Sequence, residues 1–412
     1  MRIVLIGINY APEVVGIGPY TTDLAEHLAS GGHDVTVLTS FPYYPHWRTD
    51  PAFDRKGPFL VQRIKGVRVI RCPFLLPNAR HSAIRQIAFD TSFAASSLLS
   101  SVTLGRIDSV ISVSPPLQLG LTGWIIARLR GARLILHLQD LVPDAALAVG
   151  MMADGVAMRT ARWLERVVYA RADAITVISE GFHRNLIEKG VPASKVRLLP
   201  NWIQTSRFKV ERDLAQRAAF GASNGETLVI HAGNMGAKQG LATVVDAAAE
   251  LVGKNVVLAL IGDGNQRSAL QARARELGLT NLRFIPLQLN FPATLAAADL
   301  VLLVQQPTVV DSVAPSKLLA YMAAAKPVIA AVNAESEAAR LVVKSGCGVV
   351  VPPGDPRALA DAVRELASQP SLVASFGSAG REYATHHYER DALLGTWDAV
   401  IAGRSGGDGD DA

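Results

Sequence analysis

The 412-residue sequence predicts an α/β fold with two doubly wound Rossmann-like domains facing each other across a cleft. Short apolar, β-branched runs alternate with helical segments along the whole chain, which is typical of parallel sheets covered on both faces. Each half also opens with a strand, a glycine-rich turn and a helix. The chain length suits two domains of ordinary size.

The apolar runs predict seven strands in the first half and six in the second. They are, in order, RIVLIGI, DVTVLTS, VRVIRC, SVISVS, RLILHL, AITVIS and VRLLP, then TLVIHA, VVLALIG, LRFIP, LVLLVQ, PVIAAV and GVVVP. The predicted organisation is an N-terminal Rossmann-like domain over 1–203, a polar linker over 204–226, a second Rossmann-like domain over 227–385, a helix over 386–402 that returns to the N-terminal domain, and a disordered tail over 403–412.

Composition narrows the class of protein. The chain is 49% hydrophobic and 19% charged, which indicates a globular protein. Its two cysteines, Cys72 and Cys347, form no metal-ligand spacing, so we expect a reduced, cytoplasmic setting. We expect no signal peptide before the first predicted strand and no nucleic-acid-binding module.

Charge is unevenly distributed. Residues 1–200 hold 22 Lys and Arg against 15 Asp and Glu, whereas the remainder carries a net charge of −2. The basic half favours an anionic partner, either a membrane surface or a phosphorylated substrate, although solvated arginines are an equal alternative. Arg159, Arg162 and Arg166 are spaced to share one helix face. The apolar stretch 91–104 is too short to span a bilayer, and a buried helix is the favoured interpretation; a helix on a membrane surface is the alternative, because Arg80 and Arg85 lie upstream.

A glycine-rich turn, HAGNMGAKQG over 231–240, lies between a predicted strand and a predicted helix. Free N–H groups and the helix dipole converge in such a turn, and Lys238 adds a full positive charge, so the sequence predicts an anion site. A tight turn with a solvated lysine is the alternative. Further glycine turns, with Gly16 and Gly18 and with Gly262 and Gly264, are expected at the same cleft.

Two other stretches carry candidate residues. HLQDLVPD ends a strand with His137, which either contacts a ligand and titrates near neutrality or is packed and hydrogen-bonded. PSKLLAYMAAAKPVIA predicts a helix that starts at Ser316. Lys317 falls in its first turn, where a cation opposes the helix dipole and therefore favours an external anion.

Taken together, these motifs resemble those of the family-four retaining glycosyltransferases. The matching segments are GIGPYTTDLAEHLASGGHDVTVLTS, HLQDLVPD, ITVISEGF, LPNWI, GNMGAKQGL, LIGDG, PSKLLAYMAAAKPVIA and CGVVVPPGDPRALADAV. The resemblance covers nearly the whole chain and implies the GT-B fold. It makes 1–203 the acceptor-side domain and 227–385 the nucleotide-sugar-binding domain. HLQDLVPD, GNMGAKQGL and the PSK helix point to the exopolysaccharide branch of the colanic-acid type.

The resemblance implies transfer of a sugar from a nucleotide diphosphate donor, with retention at the anomeric carbon and without a metal or other cofactor. Lys238 matches the lysine that neutralises the diphosphate, and His137 matches a histidine near the transferred sugar. The other implied donor contacts are Gly16, Gly18, Gly233, Asn234, Gly262, Gly264, Leu287, Ser312, Ser316 and Lys317.

The sequence departs from the family pattern in two places. The loop before Lys238 lacks the usual arginine and is one residue shorter, with Asn234 nearby. The paired glutamates are also absent: the second falls at Ala320 and the first at Ser312, beside Asp311. We expect Asp311 to replace the first carboxylate, with further contacts from Ser316 and Lys317.

Three functions are therefore considered. The first is a glycosyltransferase that extends a polyprenyl-diphosphate-linked glycan in exopolysaccharide or O-antigen biosynthesis, associated peripherally with the anionic inner membrane surface. The second is a nucleotide-sugar epimerase of the same architecture. The third is a non-catalytic nucleotide-sugar-binding protein, which the missing glutamates favour.

Overall fold

The computed structural model describes residues 1–14, 16–44, 47–53, 58–76, 83–141, 155–308 and 316–403. The chain forms two compact units: Met1–Pro200 together with a segment that begins at Leu393, and Asn201–Ala392. The structure thus assigns residues 204–226, expected as a linker, to the second unit. The segment from Leu393 belongs to the first unit although it follows the second in sequence. The expected tail lies outside the described residues apart from Gly403.

The first unit contains an eight-stranded sheet. Its strands are β1 (Arg2–Ile6), β2 (Asp34–Ser40), β3 (Leu60–Ile64), β4 (Val67–Cys72), β5 (Ser109–Ser114), β6 (Arg133–Leu138), β7 (Ala174–Val177) and β8 (Val196–Leu198). The spatial order is β3-β4-β2-β1-β5-β6-β7-β8, with every pair parallel except β3 and β4. The sequence analysis missed β3, an antiparallel edge strand that reaches β4 through a turn at Lys65 and Gly66, both with positive φ.

Six helices accompany the first sheet within the described residues. They are α1 (Gly18–Ser30), α2 (Ala83–Ser101), α3 (Gln118–Arg130), α4 (Val156–Arg171), α5 (Glu180–Glu188) and, at the end of the chain, α14 (Arg390–Ile401). The stretch 91–104, expected as a buried helix, lies mostly in α2, which is amphipathic: Phe89 and Phe93 are buried, whereas Ile87 and Leu99 are exposed. None of the described helices has the length and apolar character needed to cross a membrane.

The second unit contains a six-stranded, fully parallel sheet. Its strands are β9 (Thr227–Ala232), β10 (Val256–Ile261), β11 (Leu282–Ile285), β12 (Leu300–Val304), β13 (Val328–Ala331) and β14 (Gly348–Val351), in the order β11-β10-β9-β12-β13-β14. The accompanying helices are α6 (Leu214–Ala219), α7 (Ala242–Glu250), α8 (Arg267–Glu276), α9 (Phe291–Ala296), α10 (Ser316–Ala323), α11 (Glu337–Ser345), α12 (Pro356–Ala367) and α13 (Pro370–Tyr388). The strand order reverses at β9, which makes the carboxyl ends of β9 and β12 the topological switch point, the usual ligand position in such sheets.

Both faces of the second sheet are buried, because successive strand residues point to opposite sides. Leu228 and Ile230 belong to a core cluster shared with α10 and α11, whereas Val229 belongs to a second cluster shared with α7 and α12. This two-sided burial explains why the strands are nearly continuous apolar runs. All thirteen predicted strands are present, and the doubly wound class is confirmed.

The polar segment 204–226 is held to the second unit by a buried arginine. Arg217, in α6, is 1% exposed and forms an ion pair with Asp299 at 2.6 Å. Its guanidinium also donates to the carbonyls of Ala297 at 3.3 Å, Ser223 at 3.2 Å and Glu226. The buried guanidinium therefore has several hydrogen-bond acceptors within this unit, which offset the cost of burying its charge.

We expect Arg217→Met to lower the free energy of unfolding of the second unit by about 3 kcal/mol, because it leaves several buried carbonyls and Asp299 without their donor. Arg212→Met is the matched control: Arg212 pairs with the same aspartate but is 51% exposed, so the expected loss is below about 1 kcal/mol. Urea unfolding followed by circular dichroism measures both. Equal losses for the two variants would contradict the structural role of Arg217.

Candidate functional site

Three glycines bring the loops after β9 and β10 into contact at the carboxyl edge of the second sheet. Gly233, Gly262 and Gly264 have φ angles of 135°, 139° and 158°, which L side chains rarely adopt. A Cβ on Gly262 would lie 2.0 Å from the Gly233 carbonyl oxygen, and one on Gly264 would lie 2.5 Å from that of Met235. The Met235 N–H also donates to the Asp263 carbonyl at 2.8 Å. These predicted donor contacts therefore lie together at one place, here named the glycine-lined surface, where the two loops pack so closely that only glycine fits.

The first glycine loop continues into a 3₁₀ turn, Ala237–Gln239, which carries Lys238. Asn234 is exposed and lies against Gly264, because a Cβ on that glycine would be 2.7 Å from Asn234 Oδ1. The Lys238 carbonyl accepts a hydrogen bond from the Gln306 N–H at 2.9 Å, which ties the turn to the loop after β12. The Lys238 side chain is half-buried and forms no hydrogen bond or ion pair with the described residues.

Lys317, in the first turn of α10, reaches the glycine-lined surface from the other side of the switch point. A Cβ on Gly233 would lie 2.5 Å from Lys317 Cε and 2.6 Å from its Nζ, so the ammonium lies over the Gly233 backbone. Burial lowers the pKa of Lys317 to about 8. Within the described part of the chain, no hydrogen bond or ion pair satisfies this ammonium.

Lys326 is a buried cation of the same unit and has a structural role. Burial lowers the pKa of Lys326 to about 8 as well. Its Nζ, however, donates to the carbonyls of Ala296 at 3.3 Å and Ala298 at 2.9 Å. The contrast indicates that Lys317 is placed for an external anion, which would offset the cost of burying its charge.

His231, at the end of β9, was not singled out by the sequence analysis. Its ring is buried, and Nδ1 lies 3.3 Å from the Leu302 carbonyl. Burial, followed by the positive charge of Lys317, lowers the pKa of His231 well below its ordinary value. The imidazole is therefore neutral, and the positive charge over the glycine-lined surface belongs to Lys317.

Arg267 is a second residue that sequence reasoning missed, since an arginine shortly after GDG resembles a surface helix residue. It begins α8, and its Nη1 donates to the carbonyls of Gly262 and Ile285, the latter at 3.2 Å. It therefore fixes the loop after β10 against the end of β11. Leu287, the predicted contact for the base, lies two residues beyond β11 and is exposed.

The remaining predictions in this unit have different outcomes. Ser316 is the first residue of α10 and is exposed. Asp311 and Ser312 lie outside the described residues, so their roles stay predictions. Ala320, which stands where the resemblance places the ribose-binding glutamate, is buried in the core cluster shared with α11. At this position the alanine contributes to packing.

Gly16 and Gly18 lie at the carboxyl edge of the first sheet, in the loop between β1 and α1. Gly16 has a φ of 70°, and a Cβ there would lie 3.3 Å from Tyr44 Cε1. Gly18 begins α1, and its Cβ position is 3.0 Å from the Glu13 carbonyl. Both positions have little room for a side chain, which accounts for the glycines through packing; their contact with a donor stays a prediction.

His137 lies in the interior of the first unit. It is 3% exposed; Nδ1 is 2.8 Å from Thr176 Oγ1, Nε2 is 2.8 Å from Gln139 Nε2, and the ring packs edge-on against Trp397. Burial lowers the pKa of His137 to about 3. The structure therefore gives His137 the packed, hydrogen-bonded surroundings of the alternative, and its contact with the transferred sugar stays a prediction. Asp140, its neighbour in sequence, is half-buried.

Comparison with known protein families supports the interpretation of the motifs. Residues 15–202 match the model of the glycosyl transferase 4-like domain, and residues 213–383 match that of the glycosyl transferases group 1. The chain is 33% identical over 406 residues to the putative colanic acid biosynthesis glycosyl transferase WcaI of Escherichia coli (strain K12), covering 96% of this chain and 98% of that protein. It is 28% identical over 302 residues to the probable glycosyltransferase WbjE of Pseudomonas aeruginosa, covering 72% and 74%.

Solved structures give the same fold. Sucrose-phosphate synthase of Thermosynechococcus elongatus superposes with a TM-score of 0.77 at 20% identity, covering 98% of both chains. Anabaena HepE, solved in complex with UDP-glucose, superposes with a TM-score of 0.71 at 17% identity, covering 98% of this chain and 100% of HepE. The predicted GT-B fold class is confirmed.

We expect the affinity for a nucleoside diphosphate to fall about tenfold between pH 7 and pH 9, because Lys317 loses its proton near pH 8. The sign follows from the ligand: the charged ammonium attracts the diphosphate and the neutral amine does not. In Lys317→Met this part of the pH dependence disappears. Titration calorimetry with UDP and GDP in metal-free buffer measures it. The control is Lys254→Met, because Lys254 is an exposed lysine before β10, at the opposite edge of the sheet. This variant should retain the wild-type pH dependence of affinity. The same pH dependence in Lys317→Met would refute the role of Lys317.

Proposed function

Because the chain belongs to the group 1 glycosyltransferases, in the branch that includes colanic acid biosynthesis, we propose that it is a retaining, metal-independent enzyme that transfers a sugar from a nucleotide diphosphate donor. The observation that carries the proposal is Lys317 over Gly233 at the switch point of the second sheet. A cation without an internal partner, beside backbone that only glycine permits, suits a diphosphate.

The chemistry assigned to this site is electrostatic. Negative charge grows on the leaving nucleoside diphosphate as the glycosidic bond breaks. Lys317 and Lys238, fixed by α10 and the 3₁₀ turn, stabilise that charge at no cost in reorganisation. In this proposal the two lysines take the place of a divalent metal. Leu287 and the loop around it bind the base, and Asn234 and Ser316 bind the donor from the rim.

The names of related proteins support the same substrate class. HepE was solved with UDP-glucose, and other relatives act in lipopolysaccharide core biosynthesis or on phosphatidylinositol mannoside with GDP-mannose. We propose that this chain likewise uses a UDP- or GDP-sugar and extends a polyprenyl-diphosphate-linked glycan. The retaining outcome rests on the family resemblance.

Removing either lysine is expected to lower kcat about a hundredfold, the usual effect of losing one group that stabilises developing charge. The variants are Lys238→Met and Lys317→Met, with Lys254→Met as the matched control that leaves kcat unchanged. The assay supplies UDP- and GDP-sugars with membrane-extracted lipid-linked acceptor in excess EDTA, and NMR of the product reports the anomeric configuration. Activity that vanishes in EDTA and returns with Mg²⁺, or an inverted product, would contradict the corresponding part of the proposal.

A non-catalytic nucleotide-sugar-binding protein is the second candidate, favoured by the burial of Ala320 where the family has a glutamate. The same assay separates the candidates. A nucleotide sugar that raises the melting temperature without turnover across all acceptors supports the binding protein. A new free sugar-nucleotide isomer formed without acceptor supports an epimerase instead.

We also propose that the first unit rests on an anionic membrane through a face formed by α3 and α4, here named the arginine face. These helices pack against each other and expose Arg128, Arg130, Arg159, Arg162, Arg166 and Arg171. The one acidic residue in their sequences, Glu165, is buried and accepts a hydrogen bond from Lys189 at 2.8 Å. Trp163, 56% exposed, lies among the arginines. Arginine combined with an amphipathic ring suits the headgroup region of the inner leaflet of the plasma membrane.

Neutralising Arg159, Arg162 and Arg166 together with glutamine is expected to weaken vesicle binding about a hundredfold, since each basic residue near an anionic surface contributes about 1 kcal/mol. Sedimentation with vesicles containing 30% phosphatidylglycerol measures the effect, and vesicles of pure phosphatidylcholine give the neutral baseline.

The matched control is the triple glutamine variant at Arg275, Arg357 and Arg364. These exposed arginines belong to the second unit, and their loss changes the net charge by the same amount. Equal weakening by the two triple variants would show that net charge alone, and not the arginine face, drives binding.

A further inference from the structure

A group of five aromatic side chains in the first unit has no part in the donor site described above. It consists of Tyr43, Tyr44, Trp47, Phe74 and Phe89 and is here named the aromatic cluster. Neighbouring ring centroids lie 5.3 to 6.4 Å apart. The rings come from the loops after β2 and β4 and from α2, so the aromatic cluster forms at the carboxyl edge of the first sheet. Tyr43 and Phe89 are buried, whereas Tyr44 and Trp47 form its half-buried side.

A buried carboxylate fixes the backbone of the aromatic cluster. Glu13 Oε1 accepts hydrogen bonds from the N–H groups of Tyr43 at 2.9 Å and Tyr44 at 2.8 Å. Its Oε2 accepts from Asn9 Nδ2 at 2.8 Å. Trp47 has a φ of 54°, which is rare for a bulky residue and places the ring at a local conformational cost. Glu13 thus fixes the backbone from which the Tyr43 and Tyr44 rings extend.

Asp90 is a second carboxyl group beside these rings, and its situation is different. It is half-buried, and among the described residues only Gln86 donates a hydrogen bond to it, at 3.0 Å. Burial raises the pKa of Asp90 to about 7. Asp90 directly follows Phe89 of the aromatic cluster in α2. Burial, followed by the charges of Glu13 and Asp90, raises the pKa of the Tyr43 phenol. Unlike Glu13, Asp90 can accept further hydrogen bonds from the hydroxyl groups of a ligand.

We propose that the aromatic cluster and Asp90 form a subsite for a neutral sugar ring, the terminal residue of the glycan acceptor. A pyranose has an apolar C–H face that packs on an aromatic ring and hydroxyl groups that a carboxyl group binds. Trp47 and Tyr44 supply the platform, and Asp90 receives the hydroxyl hydrogen bonds. The Gly16 loop, in contact with Tyr44, adjoins the platform.

Two other ligand chemistries fit these residues less well. A diphosphate would meet the carboxyl group of Asp90 without a cation in the aromatic cluster. Arg71, a cation of β4, is buried and already donates to the carbonyls of Ser40 and Ala11 and to Gln62. An isoprenoid chain would pack on the rings but would leave the half-buried carboxyl group desolvated and unsatisfied, which is unfavourable.

The subsite extends the proposed transferase function. Only the assignment of the bound sugar to the glycan acceptor rests on that function, and binding of a sugar can be tested without turnover. The probes are methyl glycosides of hexoses, 6-deoxyhexoses and N-acetylhexosamines, observed by saturation-transfer NMR on the full chain. The variants are Asp90→Asn, which is nearly isosteric, and Trp47→Leu, which keeps an apolar group but removes the ring face. Asp34→Asn, an exposed aspartate at the opposite edge of the first sheet, is the matched control.

We expect at least one glycoside to bind the wild type and the control equally. Asp90→Asn and Trp47→Leu should weaken that binding by about tenfold to a hundredfold, the range for a hydrogen bond to a charged group. The thermal shifts given by UDP or GDP stay unchanged in both variants. In turnover assays Asp90→Asn raises the KM for the acceptor and leaves the KM for the donor as in the wild type.

Three results would overturn the subsite: no glycoside binding by the wild type, unchanged glycoside binding in Asp90→Asn, or geranyl phosphate displacing the glycosides with equal affinity in wild type and Asp90→Asn. The last would identify a lipid groove. Failure of the proposed function looks different. If no nucleotide shifts the melting temperature but the variants weaken glycoside binding as expected, the sugar subsite is supported and the proposed donor site is refuted.

Discussion

The close approach of the Gly262 backbone to the Gly233 carbonyl is the constraint on which the candidate donor site depends. A single methyl group at Gly262 would lie 2.0 Å from that oxygen, so the loops after β9 and β10 can meet only if this position is glycine. The strand order places β9 between β10 and β12, and the helix after β12 then delivers Lys317 to the same point. Backbone contact and a positive charge are thereby combined at the switch point of the sheet.

Four buried or half-buried cations among the described residues are of two kinds, and the difference separates structural residues from candidate ligand contacts. Arg71 and Arg217 are each 1% exposed and are surrounded by carbonyl or carboxylate acceptors from their own unit. Lys326 bonds two carbonyls. Lys317 alone of these four has no acceptor within the described residues. Since desolvating a charge is costly unless it is paired, the missing acceptor is best supplied by a bound anion.

The same comparison applies to carboxyl groups in the first unit. Glu13 accepts three hydrogen bonds and thereby fixes a loop, whereas Asp90, next to Phe89 in α2, accepts one within the described residues. His137 belongs with Glu13: both ring nitrogens are bonded, and its burial is part of the packing against Trp397. Polar groups with all their hydrogen bonds formed stabilise this unit, and those with fewer hydrogen bonds indicate where a ligand fits.

The sequence by itself determined the fold class and most of the sheets, because parallel strands buried on both faces must be continuous apolar runs. It missed β3, whose half-exposed residues carry no such run. It also placed the glycine turns and the start of α10 correctly, since turn and helix-start preferences are local. Tertiary structure decided the rest. Lys317 rather than Lys238 lies over Gly233 because strand order, not sequence distance, brings α10 to β9. Likewise, Glu13 and Asp90 are equally acidic in sequence, and only the packing around them gives one a structural role and leaves the other beside the aromatic cluster.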